Sequence, residues 1–110
     1  MDKLNALEAL SALAHETRLD VFRSLVKAGP DGLPAGEIAV SQNVVQNTMS
    51  NHLAILSRAG LIKKQRSGRV IQYSANYQSM RDLMMYMLED CCAGDTRICE
   101  PVAEALACNC

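Results

Sequence analysis

Apolar residues recur at helical spacing from the third residue onward. Leu4, Leu7, Leu10 and Leu13, interleaved with Ala6, Ala9, Ala12 and Ala14, predict a helix of high propensity over residues 3–13. A second helix is predicted over 16–28, with Leu19, Phe22 and Val26 on one stripe beside Leu25, stopped by Gly29 and Pro30. "DGLP" reads as a turn, with Pro34 at the first position of a short helix, "AGEIAVSQ". Asn43 then stands at a tight corner, where Asn tolerates left-handed backbone better than most residues. The next helix covers about 46–59, "QNTMSNHLAILSRA", and ends at Gly60. Its Met49, Leu53 and Leu56 fall at i, i+4 and i+7 and define a buried face. Two helices about a short turn make a helix-turn-helix.

The period changes after Gly60. "LIKKQR" and "RVIQYSA" are β-prone runs separated by Ser67-Gly68, which predicts a hairpin. A last amphipathic helix is predicted from near Tyr77, with Met80, Leu83, Met84, Met87 and Leu88 on one stripe that Cys91 extends. One short helix, "VAEALA", is expected after Pro101. The whole reads as a mainly α chain with a β-hairpin wing: a winged helix-turn-helix over residues 1–92, followed by a cysteine-bearing tail at 93–110.

Composition adds two constraints. A chain of 110 residues without Trp and with one Phe is a single domain whose core must come from aliphatic residues and Met. Chains this small bury only about two-thirds of the surface their unfolded form exposes, so pairing with a second copy would help. No stretch approaches the ~20 apolar residues of a membrane span, and no signal-peptide pattern opens the chain. A cytoplasmic location with reduced thiols is the expectation.

Charge is more informative by segment than in total. The net charge is −1, yet residues 41–75 hold Arg58, Lys63, Lys64, Arg66 and Arg69 and no acid, whereas both flanking segments are net acidic. A cationic block inside an acidic protein points to a polyanion. Beside it, the helix over 46–59 presents Gln46, Asn47, Thr48, Ser50, Asn51 and His52, uncharged but dense in donors and acceptors. Asn and Gln pair bidentately with adenine in the major groove, and Ser and Thr serve either base. These six residues are the expected base readers, with Lys63, Lys64, Arg66 and Arg69 as phosphate or minor-groove contacts. His52 has a second reading, satisfying a backbone group or holding phosphate.

The remaining chemistry is sulfur. Cys91, Cys92 and Cys99 cluster in "EDCCAGDTRICEP", and Cys108 and Cys110 close the chain. Five is an odd count for a disulfide framework. A reactive thiolate wants a cationic setting, and these cysteines lie among acids, without a C-x-x-C pair; neither His15 nor His52 is placed as a base. A thiol enzyme or a metal carrier without a DNA role is the outlying alternative. Soft thiolates select soft ions. Three of them neutralise an As(III) or Sb(III) centre, while a four-thiolate zinc or cadmium site would need Cys108 or Cys110 as an auxiliary ligand.

In order and in motif the chain resembles the ArsR/SmtB family of metal-responsive winged-helix repressors over about residues 5–92. The residues that carry the likeness are "LSALAHETRLDVFRSL" at 10–25, "TMSNHLAILSRAGLI" at 48–62 and "RSGRVIQYSA" at 66–75. The resemblance implies a homodimer joined through its first and last helices, which holds a palindromic operator and releases it when the inducer binds. Asn51 stands where much of the family has Arg. The C-x-C pair that some members carry before the helix-turn-helix is missing from Gly32–Gly36, and residues 77–92 lack the His ligands of the zinc-binding members. What is left, Cys91, Cys92 and Cys99, resembles the arsenite- and antimonite-responsive subset. Oxidation of the thiols, or Cd, Zn or Pb, stands as the alternative input.

Overall fold

A computed structural model describes residues 1–88 together with Pro101 and Glu104. Five helices and three strands follow in the order α1 (Lys3–Leu13), α2 (Glu16–Ala28), β1 (Leu33–Pro34), α3 (Ala35–Ser41), α4 (Gln46–Arg58), β2 (Ile62–Ser67), β3 (Val70–Ala75) and α5 (Tyr77–Leu88). This is the mainly helical architecture with a hairpin wing that the sequence pattern predicts.

Local chemistry sets most of the boundaries. Asp2 caps α1, its Oδ1 accepting the Asn5 N–H at 2.8 Å, which satisfies one of the free amides of the first turn. His15 does the same for α2 through Nδ1 and the Thr17 N–H, at 3.2 Å. Asn76 joins two elements. Its Nδ2 donates to the Gly60 carbonyl at 3.0 Å and its backbone N–H to that of Leu61 at 2.8 Å, while its own carbonyl accepts from Met80 in the first turn of α5. Asn43 adopts φ 54° at the corner between α3 and α4, as its type allows.

The core lies where α1, α2, α3 and α4 converge over the sheet. Val21, Phe22, Leu25, Ile38, Met49, Leu53, Leu56, Leu61 and Leu83 are its larger members. Two expected faces are corrected, and a third that the sequence pattern left open is fixed. In α2 the buried stripe is Val21, Phe22 and Leu25, and Leu19 and Val26 are exposed. In α5 only Leu83 is fully buried, with Met80 and Tyr86 packed against the core and Met87 exposed. In α1 the buried residues are Ala6, Ala9 and Ala12, and Leu4, Leu7 and Leu10 face outward.

The sheet has the order β1-β3-β2, all antiparallel. The short strand β1 replaces part of the expected "DGLP" turn: Leu33 pairs with Tyr73 and Pro34 with Gln72, so Pro34 precedes α3 as its cap. In the hairpin Ser67 pairs with Val70. The two-residue turn is therefore Gly68-Arg69, one residue later than the Ser67-Gly68 expected. Gly68 takes φ 65° and Arg69 does not enter positive φ, the pattern of a type II′ turn with Gly at its first corner.

Candidate nucleic-acid interface

α4 separates cleanly into two faces. Met49, Leu53 and Leu56 are buried, whereas Gln46, Asn47, Thr48, Ser50 and Asn51 are all exposed. The helix thus carries five small or amide side chains outward on its first two turns, the part of a recognition helix that reaches base edges.

His52, the sixth expected reader, is placed differently. It is half-buried and turned towards the start of α2. Its ring lies 4.7 Å from that of His15, tilted by 46°. The Arg18 Nη1 stands 3.4 Å from its Nδ1, and because a guanidinium has no acceptor, that nitrogen must receive the proton. Arg18 also donates from Nε to the Ala12 carbonyl at 2.6 Å. One guanidinium so links the end of α1 to α2 and to the middle of α4. Burial, and then the His15 ring and the Arg18 charge, hold the His52 pKa below its ordinary 6.5.

Beside α4, the strands of the wing carry the cations. Lys63, Lys64, Arg66 and Arg69 are all exposed. Directly paired residues share a face of the sheet, so Lys64 sits with Tyr73 and Arg66 with Ile71, while Lys63 sits with Ser74 on the other face. Arg66 is folded over the wing tip, its Nε donating to the Gly68 carbonyl at 3.1 Å. Arg69 occupies the second corner of the turn and is the outermost cation of the hairpin.

Between α4 and the wing runs a groove that includes Ser50, Ala54, Arg58, Lys64 and Tyr73 in its walls. It makes the polar face of α4 and the wing one surface. Arg58 and Tyr73 were not among the expected contacts. The signal for Arg58 is its spacing, since Ser50, Ala54 and Arg58 fall at i, i+4 and i+8 along the exposed stripe. Tyr73 has no comparable sequence signal, because its place depends on the pairing register of β3.

All five cysteines, Cys91, Cys92, Cys99, Cys108 and Cys110, lie outside the described residues, as does the expected helix after Pro101 apart from Glu104. Among the described residues no cluster of His, Cys, Asp or Glu is arranged to hold a metal ion, and no helix is long and apolar enough to cross a membrane.

Comparison with known proteins agrees with this geometry. A helix-turn-helix domain family matches residues 13–65. The transcriptional repressor SdpR of Bacillus subtilis is 34% identical over 84 residues, which cover 76% of this chain and 90% of SdpR. An ArsR-like transcriptional regulator from Rhodococcus sp. RHA1 superposes with a TM-score of 0.68 at 25% identity, over 96% of this chain and 89% of that one. A homodimeric winged helix-turn-helix DNA-binding domain from Mycobacterium bovis shares the fold with a TM-score of 0.64 at 21% identity, over 76% of each chain. By sequence and by fold, the chain belongs to the ArsR family of transcriptional regulators, with a DNA-binding helix-turn-helix at its centre.

Proposed function

We propose that the protein is a repressor that holds operator DNA as a homodimer and lets go when As(III) or Sb(III) is captured by Cys91, Cys92 and Cys99. The observation that carries the DNA half is the exposed face of Gln46, Asn47, Thr48, Ser50 and Asn51, continuous through the α4–wing groove with an acid-free row of cations. Amide and hydroxyl groups read base edges, and Lys63, Lys64, Arg66 and Arg69 neutralise phosphates. The repressor role of SdpR supports the repressor assignment, and the homodimeric state of the Mycobacterium bovis domain supports pairing of two copies. So do the outward leucines of α1 and the exposed Met85 and Met87 of α5, an apolar surface suited to a second copy.

The inducer half rests on the donor set and on the resemblance to the arsenite-responsive members. Three thiolates match a trivalent soft centre in charge and in ligand type. Cys91 and Cys92 follow the end of α5 after only Glu89 and Asp90, so an ion drawing them together with Cys99 acts close to the end of a dimer-forming helix. Such capture biases the dimer towards a geometry in which the two recognition helices no longer match successive turns of the operator, about 34 Å apart.

The test is an operator-binding assay on the full chain with its own promoter fragment. Wild-type binding should weaken steeply with salt, and Arg69→Ala should flatten that slope by about one phosphate contact. Arsenite and antimonite should release the DNA, and Cys→Ser at 91, 92 or 99 should abolish release while leaving binding intact. Release by peroxide without metalloid, or by cadmium or zinc with dependence on Cys108 and Cys110, would replace the inducer assignment and leave the DNA reading standing.

A further inference from the structure

Val45 occupies an unusual place. It is the capping residue of α4, with φ −63° and ψ 149°, and it makes no side-chain bond to the first turn. Ser, Thr, Asp or Asn at this position would accept one of the free amide protons, as Asp2 does for α1, whereas valine supplies no acceptor. Nor is the side chain used in packing. Val44 leans on the core, but Val45 is 72% exposed. A large apolar group therefore sits in water at a helix end, where a hydroxyl of similar size would serve local stability better.

Its surroundings give it a use. Gln46, Asn47, Thr48 and Ser50, the residues that follow on the outer face of α4, are all polar and exposed. Val45 is the apolar member at the leading end of this face, the end that enters the major groove first. The floor of that groove offers one apolar feature, the C5 methyl of thymine. We propose that Val45 reads a thymine in each half of the operator by covering its methyl group, excluding water from both. The inference rests on α4 being the DNA-reading helix, as argued above. It adds a recognition element of a different kind from the hydrogen-bonding residues beside it.

The experiment removes the methyl and nothing else. With the protected bases of the promoter fragment mapped by footprinting, each thymine within a half-site is replaced in turn by deoxyuridine, which keeps the pairing intact. Wild-type affinity should fall roughly four-fold per half-site at one symmetric position, the factor that corresponds to burying a single methyl group. Val45→Ala should bind the natural operator more weakly by a similar factor and show no further loss on the deoxyuridine duplex. Val45→Ser should behave as Val45→Ala does on DNA and yet melt no lower than wild type, because it gains a capping oxygen; this separates lost recognition from lost folding. Wild-type binding that ignores every thymine methyl, or a Val45→Ala variant that still senses one, would overturn the proposal while leaving α4 as the reading helix. Failure of the wild type to bind any promoter DNA would overturn both.

Discussion

His52 is a recognition-helix residue that looks inward. Its Nδ1 faces Arg18 and its ring lies against His15, so a proton added there meets a guanidinium and a second imidazole. The folded protein accordingly holds the His52 pKa below 6.5, through burial first and these neighbours second. Between the folded and unfolded values the unfolded chain binds more protons, so stability must drop as pH falls through that window. We expect the melting temperature of the wild type to decline from pH 7.5 to 5.5 by more than that of His52→Gln, which cannot take up the proton. Equal declines would separate the pH response from this residue. The sequence offered His52 as either a base reader or a satisfied polar group, and spacing alone could not choose. The deciding partner, Arg18, is 34 residues away and reaches His52 only once α2 has packed on α4.

At the scale of elements, the wing is tied to the helix-turn-helix by a two-residue strand. β1 lies against β3 only because Gly32 precedes it. A side-chain carbon at Gly32 would stand 2.0 Å from the Tyr73 carbonyl oxygen, and the backbone there has φ 69°. Gly32→Ala should therefore cost roughly 2 kcal/mol or more, from steric overlap added to strained backbone. Gly68→Ala meets nothing within 4 Å and should cost only the backbone strain of a side chain at positive φ, about 1–2 kcal/mol. Chemical denaturation of the two variants checks the ordering, and equal losses would mean that β1 can detach freely. Helix and hairpin existence was legible in the sequence because period and punctuation are local. β1 was not: "GLP" carries turn residues, and its strand character comes entirely from Tyr73 and Gln72 across the sheet. The one-residue shift of the hairpin turn has the same origin, since register is fixed by pairing.

At the scale of the molecule, α1 is inverted relative to a simple reading of hydrophobicity. Ala6, Ala9 and Ala12 are inside, while Leu4 and Leu7 are 78% and 53% exposed. Both sets repeat every third residue, so the sequence could place the helix but could not say which row faces the core. Small residues let α1 lie close to its neighbours, and the leucines are left for another surface. Leu7→Glu should accordingly leave the monomer folded. It should convert the dimer to a monomer in sedimentation and cut operator affinity by at least about 100-fold, as bivalent contact is lost. A dimer that survives this change would move the interface elsewhere. The cysteine tail was legible only as composition. Its donor types can be read in a line of text, whereas the way three thiols meet around one ion depends on how the chain turns after α5.

The strand order carries a consequence for handling the protein at high concentration. β2 forms one edge of the sheet, with backbone groups open to pairing by a neighbouring molecule. Along that edge stand Lys63, Lys64 and Arg66, and the opposite edge carries Pro34, which has no N–H to offer. The cations assigned to phosphate thus also keep two hairpins from zipping together. Alanine scans of the wing will weaken DNA binding and invite self-association at once, and bound operator, by covering the same strand, should protect such variants from aggregating.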